Sequence, residues 1–70
     1  MFTTITIENG KYRVTLEVAN RVQYLKRCVM AFESYGRYES AEKCRQRIYD
    51  IMDAALFEKE AYEIDESEVA

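Results

Sequence analysis

Asn9-Gly10, set between two runs of alternating polar and apolar residues, constrains this chain more than any other feature. Asn-Gly is a favoured central pair of a two-residue type I′ turn, because both positions require φ > 0. With these two residues at the bend, paired positions sum to 19. Glu8 then faces Lys11, Ile7 faces Tyr12, Ile5 faces Val14 and Thr3 faces Leu16. One face carries Ile5, Ile7, Tyr12, Val14, Leu16 and Val18. The other carries Thr4, Thr6, Glu8, Lys11, Arg13, Thr15 and Glu17. Alternation with period two agrees with the turn and predicts a β-hairpin over the first eighteen residues. A lone hairpin is marginal in water, so its apolar face must lie on the rest of the chain.

The rest of the chain reads as two helices. Asn20 is the expected N-cap of the first, with Gln23 three residues on. Val22, Leu25, Val29 and Phe32 follow helical spacing, and Gly36 suits a left-handed residue just past the helix end. The second helix is expected from about Tyr38–Ser40 to about Tyr62, with Ala41, Cys44, Ile48, Ile51, Met52, Ala55 and Leu56 on its inner face. Glu39–Lys43 and Glu42–Arg45 are spaced to support it. The short link at Gly36-Arg37 makes the helices antiparallel neighbours. It also places Cys28 and Cys44 at one level, as two packed thiols. The expected fold is α+β, a two-stranded antiparallel hairpin packed on an antiparallel helical hairpin in the order ββαα. It occupies one domain, 1–64, followed by a frayed acidic tail, 65–70. The stretch Gly36-Arg37-Tyr38-Glu39-Ser40-Ala41, with Leu25, Cys28, Phe32 and Ile48, resembles the turn of a tetratricopeptide-type helical hairpin. One such repeat covers about half the chain and solenoids need several, so the resemblance implies an αα-hairpin and nothing more.

Composition narrows the chemistry. The 70 residues include no His, so the commonest metal ligand and general base near neutral pH are missing. Two cysteines cannot by themselves close a four-ligand zinc site. No apolar run approaches the ~18–20 residues of a membrane span, and Met1–Ile7 lacks the features of a secretory signal. A cytoplasmic, reducing location is expected. There is no Gly-rich phosphate cradle and no nucleophile beside a base, so neither catalysis nor a cofactor is expected.

The net charge of −3 is unevenly placed. Residues 1–57 hold nine basic and seven acidic side chains, whereas 58–70 hold six acidic and one basic. Three features point to a protein partner. Hairpin strands offer free edges, and Thr3 to Ile7 contains no charge or proline to block pairing. The apolar arcs of both helices span about 160–180°, wider than the ~100° a surface helix needs. Phe57 falls opposite the Ile48 face, and Met30 and Phe2 also point away from the core. Arg and Tyr, favoured in interface cores, recur through the helical hairpin as well. The partner-binding residues expected are Ile5, Arg37, Tyr38, Arg45, Arg47, Tyr49 and Phe57.

The chain therefore reads as a small non-enzymatic protein-binding module that inhibits or modulates a larger partner. In genre it is similar to small virus-encoded accessory proteins that act on bacterial defence systems, being tiny, acidic-tailed and without catalytic residues. The alternatives are a nucleic-acid-binding regulator, using the Arg, Lys and Tyr of the helices, and a self-assembling structural protein in which the same edges or helix faces form a homodimer.

Overall fold

In the computed structural model, which describes residues 1–8 and 10–64, the chain reverses one step earlier than the Asn-Gly signal predicts. Strand β1 (Phe2–Ile7) pairs antiparallel with β2 (Gly10–Thr15), with Ile7 opposite Gly10, Ile5 opposite Tyr12 and Phe2 opposite Thr15. Paired positions sum to 17. The turn lies between Ile7 and Gly10, and Glu8 takes the left-handed conformation at φ 54°. Gly10 is a strand residue. A Cβ there would lie 3.0 Å from the Tyr12 ring, so this glycine provides space rather than a bend. A shift of two residues leaves every side chain on its predicted face, and Ile5, Ile7, Tyr12 and Val14 still point into the molecule. The shift matches six residues of β1 to six of β2.

Leu16 and Val18 do not extend the hairpin. They open helix α1 (Leu16–Ser34), whose cap lies five residues before the one expected at Asn20. Thr15 is the N-cap, and its side-chain oxygen accepts from the Val18 N–H at 3.3 Å. Leu16-Glu17-Val18 continues the strand alternation, but Val18 and Val22 are also four apart on one helix face, and the cap decides between the two periods. At the far end the Arg37 N–H donates to the Phe32 carbonyl at 2.8 Å and the Gly36 N–H to Glu33 at 3.1 Å, with Gly36 at φ 72°. This is a complete Schellman motif.

Helix α2 (Tyr38–Phe57) starts where expected and stops five residues short of the expected end. Its C-terminus repeats the Schellman pattern. The Glu60 N–H donates to Ala55 at 2.8 Å and the Lys59 N–H to Leu56 at 3.3 Å, with Lys59 left-handed at φ 62°. No glycine marks this stop, which is why apolar spacing overruns it. The chain then forms a third strand, β3 (Ala61–Ile64), antiparallel to β2, with Val14 opposite Ala61 and Arg13 opposite Tyr62. The sheet order is β1-β2-β3. The fold is thus α+β in the order ββααβ rather than ββαα. β2 is an interior strand, and residues 61–64, at the expected end of the second helix, are folded into the sheet. Asn9 and the tail over 65–70 lie outside the described residues.

The two helices pack side by side on one face of the sheet. Val14 and Val22 are fully buried at the centre, joined by Ile5, Val18, Val29, Ile48, Met52 and small Ala19, Ala41, Ala55 and Ala61. The alanines let the elements approach closely. No polar or charged side chain is buried among the described residues. Cys28 and Cys44 are free and half-buried.

The two helix ends make opposite predictions. Lys59→Gly removes a side chain from a left-handed position and should raise stability by about 0.5–1 kcal/mol in denaturant unfolding. Gly36→Ala meets no steric neighbour within 4 Å. It should nevertheless lower stability by about 1 kcal/mol through backbone conformation. A Lys59→Gly variant less stable than the parent would contradict the assignment.

Candidate interaction surfaces

The β1 edge comes first in the order of construction. Ile7 and Gly10 close a two-residue turn and so form a hydrogen-bonded pair. Alternation then makes Ile5–Tyr12 and Thr3–Val14 hydrogen-bonded pairs as well. The backbone groups of Phe2, Thr4 and Thr6 point away from β2, out of the sheet. The Lys26 ammonium donates to the Thr6 carbonyl, as this geometry requires. A lysine on an edge strand is a common device against uncontrolled pairing. It leaves Thr4 and Phe2 as the open part of the edge.

Beside the end of β1 lies a cleft of about 330 Å³ lined by both helices. Its apolar lining is Ile7, Val29, Met30 and Ile48, and its polar lining is Glu8, Lys26, Arg45 and Tyr49. Each polar group is held by another part of the chain. The Tyr49 hydroxyl donates to the Glu8 carboxylate, tying α2 to the β1–β2 turn. Arg45 donates to Glu33 on α1 at 2.5 Å and to Glu42 at 3.3 Å. These fixed polar contacts frame an apolar floor. The hydrogen bond to Glu8 holds the Tyr49 phenol protonated above the usual tyrosine range, and that to Glu33 raises Arg45 further.

A second surface lies on the other flank of the helical hairpin. Asn20, Arg21, Tyr24 and Leu25 of α1 face Arg47 and Ile51 of α2 across a shallow groove of about 380 Å³. Helical periodicity of 100° per residue puts Cys28 and Cys44 along the same groove and Arg27 and Lys43 on its outer rims. Sequence spacing suggests that Lys43 is neutralised by Glu39, but that pair does not form. Among the described residues Arg21, Arg27, Lys43 and Arg47 make no hydrogen bond or ion pair. On the far face of the sheet the Phe2 and Tyr62 rings meet over β2 with centroids 5.9 Å apart.

The expected binding residues do not form one patch. Arg45 and Tyr49 line the cleft and Arg47 lines the groove. Arg37 and Tyr38 sit exposed at the α1–α2 turn, and Phe57 is 87% exposed at the end of α2. Ile5 is 5% exposed, so its side chain belongs to the core and only its strand contributes to the edge. A charge at Ile5 would unfold the protein rather than probe binding. The expected set of binding residues lacks Lys26 and Met30 in the cleft and Arg21 and Tyr24 in the groove. Met30 departs from the apolar stripe of α1, which marks it in the sequence as pointing away from the core.

Among the described residues no group of three or more Cys, Asp or Glu is placed to hold a metal ion, and no helix is long and apolar enough to cross a membrane. No family model, no curated protein and no solved structure matches this chain.

The Tyr49–Glu8 contact has a pH signature. One of the six tyrosines should ionise later than the others in an ultraviolet absorbance titration. Glu8→Gln should return it toward the rest. Because the folded-state value is raised, the contact supports the fold below the unfolded tyrosine range, and that support is lost as pH rises through the folded value. Six tyrosines titrating together in the parent protein would refute the contact.

Proposed function

We propose that this chain is a non-enzymatic protein-binding module that takes an extended segment of a larger partner along the β1 edge. One apolar side chain of that segment seats in the adjoining cleft. The carrying observation is that one strand carries both features: β1 has outward backbone groups at Phe2 and Thr4, and its other end, at Ile7, lines an apolar-floored cleft of about 330 Å³, with Thr6 and its Lys26 contact between them. Strand addition draws affinity from backbone hydrogen bonds and specificity from side-chain pockets beside the edge. The cleft volume is at the small end of ligand sites, suited to one large side chain rather than a whole cofactor. Lys26 supports a selective edge, because a partner must either leave the Thr6 carbonyl to the ammonium or displace it. By covering a segment its partner needs, the module inhibits or modulates it, the role expected of small virus-encoded accessory proteins.

The test uses photo-crosslinking residues placed singly at Thr4, Met30 and, as a control on an exposed helix face, Glu39. Thr4 and Met30 should give the same protein adduct in the native cell and Glu39 none. Thr4→Pro removes one outward N–H while keeping the β1–β2 ladder, so the adduct at Met30 should fall at least tenfold with an unchanged circular dichroism spectrum. Equal adducts from all three positions would overturn the reading. Adducts only to a second copy of this chain would replace it with self-assembly, and adducts only to nucleic acid with a nucleic-acid regulator.

A further inference from the structure

The groove between α1 and α2 on the flank away from the cleft is unexplained by strand addition. Packing on the sheet buries one side of each helix, yet the apolar arcs are wider than that side. The surplus opens here, where Leu25, Cys28, Cys44 and Ile51 are half-buried along the groove floor. The rims are mainly cationic, with Asp50, hydrogen-bonded to Gln46, and Glu58 and Glu60 confined to the adjoining pocket at the Arg21 and Ile51 end. Arg21 and Arg27 on α1 and Lys43 and Arg47 on α2 have no acidic partner among the described residues, and Tyr24 stands between them 67% exposed. Arg45, on the opposite flank of α2, is by contrast bound to two carboxylates. The described residues carry ten basic and ten acidic side chains, so this concentration reflects placement and not an overall basic charge.

The geometry points to this groove as a docking site for an acidic amphipathic helix of a partner protein. A third helix laid along an antiparallel pair buries its apolar stripe on such a floor. Carboxylates flanking that stripe then meet the four rim cations. Phosphates of a nucleic-acid strand would satisfy the cations but leave the apolar floor uncovered, so the floor favours the helix. Tyr24 gives the contact a large, stiff side chain of the kind enriched in binding hot spots. This inference does not depend on the β1-edge reading, since the two surfaces use different flanks of the helices.

The probe is a synthetic helical peptide of about twenty residues with apolar side chains at i, i+3, i+4 and i+7 spacing and glutamates on both sides. A companion peptide carries lysines in place of the glutamates, a third has the acidic sequence scrambled, and a single-stranded oligonucleotide completes the set. Fluorescence anisotropy with the full chain should show the acidic peptide binding at least tenfold more tightly than the other three, and more weakly as salt rises. Lys43→Glu with Arg47→Glu should weaken it about tenfold or more. Glu42→Gln, on the opposite flank, should leave it unchanged. Both variants are on exposed positions, and circular dichroism checks that they fold. Amide shifts in NMR should concentrate at Arg21, Tyr24, Leu25, Arg47 and Ile51. The proposal is overturned if the lysine or scrambled peptide binds as well, if the oligonucleotide binds more tightly, or if the shifts fall at Lys26, Met30 and Tyr49. That last pattern would assign the peptide to the cleft and leave the strand-addition reading standing.

Discussion

Thr15 ties three parts of the molecule together. Its hydroxyl oxygen caps α1, its N–H donates to the Glu60 carbonyl at the entry to β3 at 3.0 Å, and its Cα lies opposite Phe2 at the start of β1. Ending β2 at this residue turns Leu16 and Val18 from strand into helix. In the register that reaches this residue, positions sum to 17 and all six residues of β1 pair with all six of β2. The same ending also gives the returning chain a place to join the sheet. In a chain of 70 residues with few buried large side chains among those described, such shared anchoring replaces the deep core of a bigger domain.

Joining β3 to β2 redistributes the exposed surface. Pairing on both sides withdraws β2 from any partner and leaves β1 and β3 as the edges. Lys26 guards one end of the β1 edge, and the Tyr49–Glu8 and Arg45–Glu33 contacts hold the cleft beside it. Exposed ion pairs and hydrogen bonds of this kind add little stability. They fix the position of the turn and helices relative to the edge. With both helices on the same sheet face, each keeps one flank on the cleft side and one on the groove side. The first flank is rich in satisfied polar contacts and the second in cations without acidic partners among the described residues.

The hairpin, the helical pair and the core were legible in the sequence for identifiable reasons. Period-two alternation from Ile5 to Val14 survives an even register shift, and the stripe Val22-Leu25-Val29-Phe32 admits only a helix. Gly36 marks a stop because its conformation is one that side chains avoid. Lys59 adopts nearly the same conformation without advertising it, so the end of α2 and the whole of β3 were hidden. Ala61-Tyr62-Glu63-Ile64 is too short to show a period and continues helical spacing as readily as it starts a strand. The interaction surfaces were legible only as a mixture. Arg45 and Arg47 are two residues apart, hence on different flanks of one helix, and residue type gives no means of separating them.

By itself the sequence determined which side chains turn inward and which chemistries lack their residues, because those follow from local periodicity and from the absence of histidine. Tertiary structure decided the turn position, the third strand and the sorting of cations into partnered and unpartnered sets. Each of these depends on contacts between residues far apart in the chain, such as Thr15 with Glu60, Glu8 with Tyr49 and Glu33 with Arg45, and no local pattern encodes which distant group will arrive.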